Sequence, residues 1–189
     1  MNYDEYARDG RILYESFAQT VAFIIEAAIA DSGQDFRMQQ ISFRAKSDTS
    51  LLRKLTEREL LEASTIEAEL KDLAGCRAIF YTNQDIDRFL SARLIFENFK
   101  VDFDGSKIHH AVGTERAAED LYFAIHYVVS LTDQRLELPE YRNFEDCVAK
   151  FNCKRSSTMR GPRPHMTFST IAPAWNALAP SSMRPSSSV

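Results

Sequence analysis

Apolar residues change their period along this chain, and that change most limits what it can fold into. Leu13, Phe17, Val21, Ile24, Ile25 and Ala28 recur at three- and four-residue steps, the spacing of one helix face, and Gly33 follows as a stop. Further on, residues 39–43, 78–81, 100–103 and 123–131 read as short strands, the last of them rich in β-branched and aromatic side chains. Between these runs, Ser47, Asp48 or Thr49 can cap one helix, and residues 86–99 place Ile86, Phe89, Leu90, Leu94 and Ile95 on one face of another. Strands alternating with helices predict an α+β fold, a layered arrangement in which a mixed β-sheet is flanked by helices.

A length of 189 residues suits one domain with a real core. Charge divides it unevenly. All 27 acidic residues lie at or before Asp146 with 17 of the 23 basic ones, a net charge of −10, whereas the remainder carries six basic residues and none acidic. Residues 156–189 hold five of the six prolines and are rich in Ser and Ala. The expected organisation is therefore a folded domain at 1–145 and an aberrant, disordered tail at 146–189. Cys76, Cys147 and Cys153 have no paired C-x-x-C spacing, which points to a reducing, cytoplasmic setting. The apolar run 21–30 contains Glu26 and falls short of the ~20 residues of a membrane span, so no membrane role is expected. An acidic body is likewise a poor partner for duplex nucleic acid.

Three constellations could carry chemistry. Arg44, Lys46, Ser50 and Lys54 sit at a strand-to-helix junction, where three cations and a hydroxyl can converge on a polyphosphate. Read as charge alone, the same residues are a solvated helix face. Asp72, Gly75 and Arg77 precede a buried strand, where a carboxylate can hold Mg²⁺ and a glycine lets backbone come close to a ligand. The plain alternative is a capping Asp and a turn Gly. Tyr122 and His126 are four residues apart in a strand and so share a face, as a base-stacking ring beside an imidazole or as packing residues.

Together these residues resemble the synthetase domain of the RelA/SpoT family, whose motifs are R-x-K-x-x-x-S-x-x-x-K, D-L-x-G-x-R, G-Y-x-x-x-H and E-I-Q-x-Q-T followed by H-A-W. The resemblance covers residues 3–141. It is full at Arg44, Lys46, Ser50 and Lys54 and at Asp72, Leu73, Gly75 and Arg77; the third motif has Leu121 in place of Gly before Tyr122 and His126. It implies a nucleotidyltransferase-like fold and a GTP diphosphokinase, making (p)ppGpp by moving pyrophosphate from ATP to the 3′-hydroxyl of GDP or GTP. Arg44, Lys46, Ser50, Lys54 and Arg77 would bind ATP, Asp72 would be catalytic and hold Mg²⁺, and Tyr122 and His126 would bind the guanine nucleotide. A homo-oligomer is a further expectation of the resemblance. The alternatives are a nucleotide- or partner-binding module without turnover, and a pyrophosphotransferase with another acceptor.

The fourth motif is not present in the sequence as read. Joining the last base of each codon to the first two of the next nevertheless forces Leu at Asp146/Cys147, Gln or a stop at Phe151/Asn152, Leu at Asn152/Cys153 and Gln or a stop at Cys153/Lys154. With the free bases chosen permissively, E-I-Q-L-Q-T and then H-A-W appear. A frameshift near Glu145 is the expectation, with loss of a strand, an acidic site residue and part of the activity.

Overall fold

The computed structural model of the chain describes residues 1–109 and 124–156. A capping box between Asn2 and Glu5 starts α1 (Tyr3–Glu5), which passes through a π-helical turn at Tyr6–Gly10 into the long α2 (Arg11–Asp31). Gly33 ends it with φ +63°, as its position in the sequence predicts. β1 (Met38–Ala45), α3 (Asp48–Glu57), α4 (Ile66–Glu69) and β2 (Ala74–Phe80) follow. Then come α5 (Asn83–Ser91), α6 (Leu94–Asn98), β3 (Phe99–His109), β4 (Ala124–Leu131), α7 (Asp133–Leu136) and β5 (Ala149–Arg155).

The five strands form one mixed sheet in the order β1-β2-β5-β4-β3. Only β2 and β5 run parallel; the other neighbours are antiparallel. The α+β layered fold expected from the sequence is therefore the one observed. α2 lies across one face, burying Tyr14, Phe17, Ala18, Val21, Ile24 and Ile25 with Ala74, Cys76, Ala78 and Phe80 of β2 and Ile125, Tyr127 and Val129 of β4. The continuous helix Tyr3–Asp31 is long and apolar enough to cross a membrane. Those buried side chains commit its apolar face to the sheet instead.

Two expectations are corrected. Residues 86–99 are not one helix: Arg93 adopts φ +59°, which breaks the run into α5 and α6, and Phe99 already begins β3. A positive φ at an arginine carries no sequence signal of the kind that Gly or Asn gives. The ordered fold also does not stop at Glu145, because β5 fills the centre of the sheet, between β2 and β4. Ala149, Phe151 and Cys153 are buried in the core while Lys150, Asn152 and Lys154 alternate with them on the opposite face. That two-residue period is only seven residues long, and it is flanked by a break in charge and a Ser/Pro-rich stretch that show no period. The expected missing strand is thus supplied by residues 149–155 of the sequence as read, and the core is not opened there. Residues 157–189, the rest of the expected tail, lie outside the described residues.

Candidate active site

The face of the sheet turned away from α2 carries the site. Facing residues in neighbouring strands project to the same side, so the pairings Ser42–Arg77, Arg77–Asn152, Asn152–His126 and His126–Lys107 set one polar row across all five strands. The next row is Arg44, Gly75, Lys150, Val128 and Asp102. A cavity of about 410 Å³ opens over these rows, lined by Arg44, Lys46, Asp72, Gly75, Arg77 and Lys150, among others. The basic residues outnumber the acidic by four to one, the single carboxylate being that of Asp72.

Each member is held by an identifiable device. Lys46 follows β1 directly, and its backbone is fixed on both sides: its N–H donates to the Leu73 carbonyl at 2.8 Å, and its own carbonyl accepts from the Tyr6 hydroxyl at 2.8 Å. Ser47 is the N-cap of α3, accepting from the Ser50 N–H, so the helix starts where it turns Lys54 toward Asp72. Asp72 Oδ2 accepts from Lys54 Nζ at 2.7 Å and from Lys46 Nζ at 3.1 Å. Burial pushes the Asp72 carboxyl up, but the Lys54 hydrogen bond and the Lys46 charge outweigh it and hold the group below the usual carboxylate range. Asp72 is therefore ionised at neutral pH.

The structure brings Arg44, Lys46, Lys54, Asp72, Arg77 and His126 together, although the first and last lie 82 residues apart in sequence. Ser50 stands apart from the cavity lining: its hydroxyl accepts from Ser47 Oγ at 2.8 Å within the α3 cap. Tyr122 lies outside the described residues. Lys150 and Asn152 line the cavity and were missed by sequence reasoning, because β5 was read as tail. The signal available was the alternation of Ala149, Phe151 and Cys153 with Lys150, Asn152 and Lys154.

Polar atoms in the cavity wall remain unpaired. Asp72 Oδ1, Arg77 Nε and Asn152 Oδ1 are buried without a hydrogen-bond partner among the described residues. Such orphaned groups cost about 1–3 kcal/mol each unless a ligand or water meets them. Gly75 lines the same floor. Its φ is not positive, and an added Cβ would meet only the Arg44 carbonyl oxygen, at 3.8 Å. Neither backbone nor packing demands a glycine at this position, whereas a ligand lying on the strand would.

The donor set does not fit a resident Mg²⁺. That ion takes oxygen ligands in a near-ideal octahedron, usually one or two carboxylates with substrate phosphates. Here the single lining carboxylate has one oxygen bound by two ammonium groups and only Oδ1 left, and Arg44, Arg77 and Lys150 line the same cavity with no ion pair among the described residues. No cluster of three or more His, Cys, Asp or Glu side chains able to hold a metal exists among the described residues.

No protein-family model and no curated protein sequence matches the chain. Solved structures do. The chain is similar to a GTP pyrophosphokinase family protein from Streptococcus pneumoniae, at 15% identity and a TM-score of 0.55, covering 77% of this chain and 67% of that one. It is similar to small alarmone synthetase 1 from Bacillus subtilis at 14% identity and a TM-score of 0.53, over 80% and 71% of the two chains. Small alarmone synthetase 2 from the same organism gives 17% identity and a TM-score of 0.52, over 80% and 73%. The five-stranded mixed sheet with its flanking helices is thus the fold of these synthetase structures. More particularly, the chain has a RelA/SpoT-type synthetase fold.

Proposed function

We propose that the cavity binds the polyphosphate of ATP, in a (p)ppGpp synthetase-like protein whose acceptor is the 3′-hydroxyl of GDP or GTP. The observation that carries this reading is the convergence of Arg44, Lys46, Lys54 and Arg77 around ionised Asp72 on one face of the sheet. A structure of small alarmone synthetase 1 bound to its product pppGpp shares the fold at a TM-score of 0.51, which supports nucleotide substrates for this kind of site.

In the reaction so proposed, the acceptor 3′-oxygen attacks the β-phosphorus of ATP, the bond from that phosphorus to the α–β bridging oxygen breaks, and AMP leaves. The residues of this chain would contribute position and charge. Arg44 and Arg77 offer guanidinium forks to phosphate oxygens, and Lys46 offers an ammonium. The Lys46 and Lys54 contacts fix Asp72 as an anion at the cavity edge. Charge placed beforehand around a pyrophosphoryl group is the main source of rate in such transfers. Three free cysteines, all buried, support a reducing, cytoplasmic setting.

The expected result of incubating the protein with ATP and GDP or GTP, in EDTA and again in Mg²⁺ buffer, is AMP together with a 3′-pyrophosphorylated guanosine nucleotide, resolved by anion-exchange chromatography. Asp72→Ala should abolish both products. Absence of AMP with intact ATP binding would select the second reading, a nucleotide-binding module without turnover. Lys150 favours that second reading, because with it the cavity lining sets four cations against one carboxylate.

A further inference from the structure

Lys150 stands at the centre of the sheet, on β5, facing Gly75 of β2 on one side and Val128 of β4 on the other. Gly75 in turn faces Arg44 of β1. Arg44 and Lys150 are therefore two strand spacings apart, on the order of 10 Å, with a residue that has no side chain between them. The result is a trough with a guanidinium on one wall, an ammonium on the other and bare strand as its floor. Arg77 and Asn152 occupy the adjoining row, each with a buried polar atom that has no hydrogen-bond partner among the described residues. Lys150 is half-buried, and it has no ion pair among the described residues. A lone ammonium in such a position is costly unless an anion joins it.

We infer that Lys150 does for this cavity what a divalent cation does elsewhere, so that the trough over Gly75 takes a nucleoside triphosphate as the metal-free polyanion. This rests on the reading of the cavity as a polyphosphate site and goes beyond it, because it sets the ionic form of the ligand. Free ATP is a better match than its Mg²⁺ complex: the complex carries two fewer negative charges and would press a metal ion against three unpaired cations. The cavity's single carboxylate offers a metal only Oδ1, because Lys46 and Lys54 already share Oδ2.

The test is a calorimetric titration of the full chain with ATP and with inorganic triphosphate, in EDTA and again in excess Mg²⁺, using the wild type, Lys150→Arg, Lys150→Gln and Lys150→Glu. Wild type and Lys150→Arg should bind both ligands in EDTA, and Mg²⁺ should weaken that binding by about 10-fold or more. Lys150→Gln should lose about 10-fold in EDTA with its far-UV circular dichroism unchanged, and Lys150→Glu should bind ATP only when Mg²⁺ is present. Binding by the wild type that requires Mg²⁺ overturns the inference and leaves the polyphosphate reading standing. Metal-free binding that Lys150→Gln leaves untouched overturns it too. No binding of either ligand under either condition removes the polyphosphate reading and this inference together.

Discussion

At the scale of single residues, three side chains at or beside the ends of strands were legible and one in the middle of the sheet was not. Arg44, Lys46 and Asp72 sit where motif spacing put them, because a short strand followed by a helix cap leaves few ways to point a lysine two residues on. Lys150 has no such local frame: only its pairing with Gly75 and Val128, set by the sheet, aims it into the cavity. Gly75 shows how the two kinds of information combine. Its sequence context allowed a turn, yet it lies inside β2, in open space apart from the Arg44 carbonyl. Gly75→Val should then leave the thermal unfolding midpoint at or above that of the wild type, since a β-branched side chain suits a strand. ATP affinity should fall about ten-fold or more, ~1.4 kcal/mol, because the new side chain fills the trough floor. A melting curve and a binding titration on one sample separate the two effects, and unchanged affinity would show that the ligand does not lie over β2.

Among the elements, α2 was legible because its period is long and uniform and β4 because it is dense in β-branched and aromatic residues, whereas β5 was hidden by its neighbours. The alternative reading frame gives this strand a second meaning. Written onto β5, E-I-Q-L-Q-T must keep its Ile and Leu in the core, at the positions of Phe151 and Cys153. Its Glu then replaces Lys150 and its first Gln replaces Asn152. We propose that a shift of frame here preserves the strand and inverts the charge of one site residue, because both frames alternate apolar with polar residues. The structural weight of β5 in the frame as read is open to measurement. Phe151 is fully buried and its ring lies 6.3 Å from that of Phe89 on α5. Phe151→Ala should cost about 3–5 kcal/mol, read as a lower urea midpoint with the slope of the transition retained. A chain cut after Glu145 should fail to give a cooperative transition at all, since β2 and β4 would lose the strand that joins them. A cooperative transition from that shortened chain would mean that β5 is an addition to the fold and not its centre.

For the whole molecule, net charge and local charge make opposite claims about an anionic ligand. The chain carries −4 at neutral pH, so a polyphosphate at a distance meets a protein of its own sign. At the cavity it meets Arg44, Arg77 and Lys150, with Lys46 and Lys54 behind them, and a recessed site with low-dielectric walls concentrates such a field. Salt distinguishes the two. Raising ionic strength from about 0.01 M to about 1 M shortens the screening distance from ~30 Å to ~3 Å. If the overall charge governed approach, screening would relieve repulsion and the association rate of a fluorescent ATP analogue would rise. If the cavity governs it, the rate should fall by about an order of magnitude over that range, measured by stopped flow in EDTA. Lys150→Gln should flatten the dependence, because it removes the cation at the middle of the field. A rate that rises with salt in the wild type would show that the five cations are neutralised before ATP arrives, and the cavity would then have to be read as a closed structural network and not as a site.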